Sequence, residues 1–140
     1  MTSDEKHIAP LYHFPCSGDV KAHILILPGM AVPARFFSKL ARSLTKQGFE
    51  AWTMDWRGHG ESIVRASSTV DFGYKDHAVD ASAALAQIKA SNPAVPIYLL
   101  CHSLGGQVAL MMTVLSETRF DGIILSGSGT PHAKPFTWWM

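Results

Sequence analysis

The stretch Pro96-Ile97-Tyr98-Leu99-Leu100-Cys101-His102-Ser103-Leu104-Gly105-Gly106 decides how the chain is read. Its first half is an apolar run behind the turn signal Asn92-Pro93, the pattern of a strand buried on both faces. Its second half passes directly into Leu104 to Leu115, where Val108, Met112 and Leu115 recur at helical spacing and are expected to face inward. A serine lodged between such a strand and such a helix sits on a sharp turn that pushes its hydroxyl above the sheet. The turn brings together the residues two before and two after the serine, so both must be small. Cys101 and Gly105 hold those positions, and Gly106 lets the helix pack close to neighbouring backbone. The common form of the turn is G-x-S-x-G; here Cys101, small and readily buried, stands for the first glycine. A serine that merely caps a helix accounts for the same letters without any chemistry.

Outward from this stretch, short apolar runs alternate with helical patterns, the order expected of parallel strands joined by crossover helices. His23 to Leu27 reads as a strand stopped by Pro28-Gly29. Pro33 then opens a helix with the apolar stripe Phe37, Leu40, Ala41 and Leu44, closed by Gly48. Phe49 to Trp56 is the next strand, and Arg57 to Gly73 is too polar and glycine-rich to be anything but a loop. In a long helix from Tyr74 to Ala90, Tyr74, Ala78, Ala81, Leu85 and Ile88 share one face directed at the sheet. Gly122 to Ser126 is a further strand, and Leu11 to Phe14 a candidate edge strand. The expected class is α/β, a mostly parallel sheet with helices on both faces.

Composition narrows the function. The 140 residues make one domain whose core needs no disulfide or metal staple. Twelve Lys+Arg against eleven Asp+Glu leave a net charge of +1, and no two basic residues are adjacent, so nucleic acid finds no electrostatic footprint. No apolar run is long enough for a transmembrane segment, and the start Met1-Thr2-Ser3-Asp4-Glu5-Lys6-His7 lacks the form of a secretory leader. A cytoplasmic protein with Cys16 and Cys101 as free thiols is expected. Neither cysteine lies in a C-x-x-C pair and no H-E-x-x-H spacing occurs, so neither metal nor cofactor is expected. A nucleotide-binding α/β protein wants a glycine fingerprint after its first strand, where Gly29-Met30-Ala31-Val32-Pro33 supplies one glycine.

Two more segments supply context: Leu27-Pro28-Gly29-Met30-Ala31 after the first strand, and Asp55-Trp56-Arg57-Gly58-His59-Gly60-Glu61-Ser62 after the next. With them the chain, from about His23 to Ser128, resembles the α/β-hydrolase family, in particular its lysophospholipase, monoacylglycerol lipase and serine aminopeptidase branch. The resemblance implies a serine hydrolase acting on carboxylic esters of lipid-like or small acyl substrates. It implies Ser103 as the nucleophile and the N–H groups of Met30 and Leu104 as the oxyanion hole. Many members have His-Gly where this chain has Pro28-Gly29. The hole uses backbone, so the change bears on loop shape more than on chemistry. Asp55, Arg57, His59 and Ser62 are implied to be architectural, and so is His102, whose side chain points away from the serine at such a turn.

The general base is harder to place. The triad of this family runs Ser, acid, His along the chain, which here allows Ser103, then Glu117 or Asp121, then His132. Asp121 opens a strand that covers ~15 Å, and Glu117 lies near the far end of a helix ~18 Å long, so both are remote from Ser103. His132 follows Ser126-Gly127-Ser128-Gly129 at the correct edge of the sheet and is the candidate base within these residues. The family carries its acid and histidine on two later strands, often with a cap inserted after the strand that ends near Ser126. The 140 residues are therefore expected to be the N-terminal part of such a core, with the apolar Phe136-Thr137-Trp138-Trp139-Met140 leading into a cap. A hydrolase-like module that binds without a triad, or an inactive remnant, is the alternative. An apolar parallel strand left at a sheet edge is expected to make the isolated 140 residues poorly soluble; a sharp, monomeric, reversible unfolding transition would contradict this.

Overall fold

Residues 9–115 and 119–129 are described by a computed structural model of the chain. Five strands, β1 (Leu11–Phe14), β2 (Ala22–Leu27), β3 (Phe49–Met54), β4 (Ile97–His102) and β5 (Gly122–Ser126), form one sheet in the order β1-β3-β2-β4-β5. β1 runs antiparallel to β3, and every other pairing is parallel. The registers Leu27 with Cys101 and His102 with Ser126 bring the carboxyl ends of β2, β4 and β5 to a common edge.

The central strand β2 is buried along all six residues, because helices cover both of its faces. Successive side chains alternate between those faces. Ile24 and Ile26 join Phe37, Ala41 and Ala51 beneath α1 (Ser38–Thr45). Leu25 and Leu27 join Trp56, Leu85, Ile88, Leu99, Val108 and Met112 beneath α2 (Tyr74–Ser91) and α3 (Leu104–Leu115). No helix among the described residues is long and apolar enough to cross a membrane.

Several expectations change in detail. The segment after Pro33 begins as a 3-10 turn, Ala34–Phe37, and only then becomes α1. The tighter winding shifts the buried face onto Phe37 and Ala41 and leaves Leu40 38% exposed. Tyr74, expected inward, is exposed in the first turn of α2, where its hydroxyl donates to Gln107 Oε1 at 2.6 Å. Leu115, also expected inward, is 55% exposed at the last turn of α3, past the sheet that covers Val108 and Met112. β3 stops at Met54 and not at Trp56; Asp55 N–H still donates to Pro10 O at 3.0 Å, and its carboxylate takes up loop donors. β5 is an edge strand among the described residues, with Ile124 and Leu125 about half exposed. Asp121 stands at the amino end of β5, where its N–H donates to Ile97 O at 2.7 Å and its carboxylate accepts from Ile97 N–H at 2.8 Å. It is thus at the opposite edge from Ser103, as the strand length requires.

Among the described residues, the buried imidazoles of His23 and His77 carry unpartnered nitrogens, at Nε2 and Nδ1 respectively. Burial pushes both below the ordinary histidine value, against the opposing pull of Glu50 on His23 and of Asp80 on His77. A histidine held low binds its proton more readily in the unfolded chain, so stability is full above about pH 6.5 and lost as pH falls through the folded value. The thermal midpoint should be flat near neutrality and decline on acidification. His77→Phe, which keeps a ring against Trp56 and Phe72 while removing the buried nitrogen, should make that decline shallower. An equally steep acid limb in the variant would assign the dependence elsewhere. A second expectation concerns packing. A Cβ on Gly105 would lie 2.2 Å from Leu27 O, so Gly105→Ala should cost about 2–3 kcal/mol in chemical denaturation; an unchanged midpoint would show that α3 can slide.

Candidate active site at the carboxyl edge of the sheet

One residue separates β4 from α3, and that residue is Ser103. It takes φ +49°, a left-handed conformation that L-residues rarely adopt and that costs on the order of 1–3 kcal/mol unless its surroundings enforce it. They do. Ser103 N–H donates to Ser126 O at 3.2 Å, and Ser103 O accepts from Gly106 N–H at 3.0 Å and from the Ser128 hydroxyl at 2.8 Å. Gly105 lies against the Leu27 carbonyl, where no side chain fits. Cys101, two residues before Ser103, faces the core under α2 and α3, and burial pushes its thiol up to about 12. That thiol stays protonated at neutral pH, and both cysteines are free.

The loop leaving β2 comes to the same place. A Cβ on Gly29 would sit 3.2 Å from Ser103 Cβ and 3.0 Å from the His102 ring, so the loop can approach Ser103 closely because residue 29 is a glycine. Val32 N–H closes the turn on Gly29 O at 3.3 Å, with Ala31 at φ +60° and Met30 exposed between them. Leu104 is the first residue of α3, so its N–H is among those that no carbonyl of the same helix takes. The His102 ring turns to the α1 side, 6.1 Å between centroids from Phe37, with Nδ1 3.1 Å from Ser126 O.

Beneath this edge the segment from Asp55 to Ser62 is wired in place. The buried Asp55 carboxylate accepts from Tyr12 Oη at 2.8 Å, Ala34 N–H at 2.7 Å and Glu61 N–H at 2.9 Å. Its hydrogen bond and its charge, together with burial, raise the Tyr12 phenol to about 12, burial contributing most. Trp56 Nε1 donates to Pro28 O at 2.8 Å and so ties the segment to the end of β2. Arg57 makes a two-pronged pair with buried Asp80 on α2, at 2.7 and 2.8 Å, which raises the guanidinium pKa further. His59 Nδ1 lies 2.8 Å from Arg57 O. Each of these groups is engaged in holding the loop.

The structure therefore brings Ser103, Leu104 and the Gly29-Met30 loop together at one edge and keeps Asp121 at the other. His132, Glu117 and the segment Phe136-Thr137-Trp138-Trp139-Met140 lie outside the described residues. Sequence reasoning missed Ser128, Gln107 and Asp80. Ser128 and Gln107 belong to no motif. An acidic residue at 80, on the mostly apolar inner face of α2, was the available signal for a partner to Arg57.

Comparison with known proteins bears on the family and the fold. The family model described as serine aminopeptidase, S33, matches residues 18–140. The monoglyceride lipase of Rattus norvegicus is 27% identical over 125 residues, 89% of this chain and 40% of that protein. Protein phosphatase methylesterase 1 of Candida albicans is 33% identical over 90 residues, 64% of this chain and 24% of that protein. Among solved structures, a thermostable carboxyl esterase from Bacillus coagulans shares the fold at TM-score 0.76 and 17% identity, over 89% of this chain and 41% of its own. A soluble variant of monoglyceride lipase from Saccharomyces cerevisiae does so at TM-score 0.69 and 24% identity, over 84% and 40%. The chain spans about 40% of the length of the monoglyceride lipases it matches. With the family match running over residues 18–140, which hold β2 to β5 and both flanking helix layers, the chain belongs to the serine aminopeptidase S33 family of α/β-hydrolases.

Proposed function

We propose that the protein is a cytoplasmic serine hydrolase that cleaves carboxylic esters of lipid-like or small acyl substrates, with Ser103 as its nucleophile. The chain then forms the front part of one hydrolase core, through the strand that follows the nucleophile helix. The observation that carries the reading is Ser103 itself: a non-glycine residue held at φ +49° between a buried strand and a helix, beside a glycine loop. Such strain persists only where packing enforces it, and it gathers at functional sites. Ester chemistry is favoured because the relatives named above are lipases and esterases.

The Ser103 hydroxyl attacks the ester carbonyl and passes its proton to a general base. The resulting oxyanion is held by the N–H groups of Met30 and Leu104. Collapse breaks the bond to the alcohol, which leaves with the proton, and water then attacks the acyl-enzyme to release the acid and restore Ser103. The family carries its acid and histidine on later strands, and His132 is the candidate base within the 140 residues. An oxyanion-hole donor is worth roughly 10²–10³ in turnover, and a triad member up to about 10⁶. The full-length protein should therefore be labelled by a fluorophosphonate, and Ser103→Ala should abolish the labelling and ester turnover together. Absence of labelling in the parent would point to a hydrolase-like binding module.

A further inference from the structure

We infer that Ser128 is a positioning residue for the oxyanion hole, aiming the Leu104 N–H by holding the opposite end of the same peptide unit. The inference rests on the roles proposed above for Ser103 and Leu104. The carbonyl of Ser103 and the N–H of Leu104 share one planar peptide group and point in opposite directions. Whatever fixes Ser103 O therefore fixes the direction of the donor. Two hydrogen bonds do so: Gly106 N–H at 3.0 Å, the ordinary closing bond of the turn, and the Ser128 hydroxyl at 2.8 Å, which arrives from beyond β5. Together they use both lone pairs of that oxygen.

The second bond matters because the first does not determine the plane by itself. Ser103 sits in a sparsely populated backbone region, and rotation of the peptide that follows it would turn the Leu104 N–H away from the site. A flipped peptide would leave the Ser128 hydroxyl facing an N–H in place of an acceptor. The surroundings are arranged to keep Ser128 there. A Cβ on Gly106 would lie 2.3 Å from Ser128 Oγ, so the glycine clears the space that the hydroxyl occupies. The backbone on either side of Ser128 is also tied down. Ser126 O accepts from Ser103 N–H, and Gly129 O accepts from Gln107 Nε2 at 3.2 Å, while Gln107 Oε1 takes the Tyr74 hydroxyl. The end of β5 thus reaches across β4 to set the geometry of a donor on α3.

A hydroxyl that only fastens β5 to α3 would show itself in stability, whereas one that aims a transition-state donor shows itself in kcat. In the full-length protein, Ser128→Ala is expected to lower kcat for a p-nitrophenyl ester of a short acid about tenfold. KM should stay within about twofold and phosphonylation by the fluorophosphonate should slow in parallel. Ser128→Thr, which restores the hydroxyl, should recover most of the rate. Ser128→Cys, a weak donor of similar size, should fall between. Equal rates in Ser128→Ala and the parent would overturn the inference, as would a loss fully accounted for by unfolded protein. Should Ser128→Ala not fold, a Ser128→Cys enzyme with the parent's kcat would overturn it equally. A parent that never reacts with the fluorophosphonate removes the nucleophile assignment instead, which separates the two failures.

Discussion

A helix that begins one residue after a strand has to drive its first turn against the carboxyl end of the neighbouring strand. In this protein that contact is Gly105 against the Leu27 carbonyl, at a separation where any Cβ would overlap backbone. Much else follows from it. Leu27 cannot retreat, since it is fully buried between β3 and β4 in the middle of the sheet. α3 cannot rise, since Leu104, Val108 and Met112 are seated in the core beneath it. Ser103 is left with the short span between these fixed bodies and takes a left-handed conformation to bridge it.

The strain is distributed over polar contacts as well as packing. The carboxyl ends of β2, β4 and β5 would otherwise expose unpaired backbone groups at a partly buried edge, where each costs on the order of 1–3 kcal/mol. Neighbouring loops satisfy them: Trp56 Nε1 takes Pro28 O, and Ser103 N–H takes Ser126 O. The Asp55 carboxylate gathers donors from β1, from the turn before α1 and from its own loop, and so links three segments distant in sequence. Removing such a carboxylate would strand three donors at once. This is the physical sense in which the polar run from Asp55 to Ser62 is architectural, although its composition of Arg, His, Glu and Ser resembles a reactive cluster.

The strands and helices were legible because each side chain's environment follows from its position along its own element. Continuous apolar runs such as Ile24 to Leu27 marked the buried strands, and Ala78, Ala81, Leu85 and Ile88 marked the inner face of α2. The departures fall at element ends. Tyr74 and Leu115 continue a correct period onto turns that the sheet does not cover, and periodicity carries no information about where a neighbouring surface stops, while Leu40 is turned outward by the 3-10 winding ahead of α1. Within the site, Ser103 and its small neighbours were readable because the turn constrains residues two apart in sequence. Ser128, Gln107 and Asp80 were not, because their partners lie 25, 22 and 23 residues away and no local rule couples them.

The sequence by itself determined the class of fold, the position of the strand-to-helix turn and the requirement for small residues around it, all of which arise from backbone geometry over a few consecutive residues. Tertiary structure alone decided that the Asp121 carboxylate takes the Ile97 N–H, that Arg57 is spent on Asp80, and that the carbonyl of Ser103 is held from the end of β5. Those outcomes depend on strand order and register, which place residues distant in sequence side by side. The hydrogen bonds they make depend on the hydrophobic layers of α1 on one face and of α2 and α3 on the other, which fix the sheet between them.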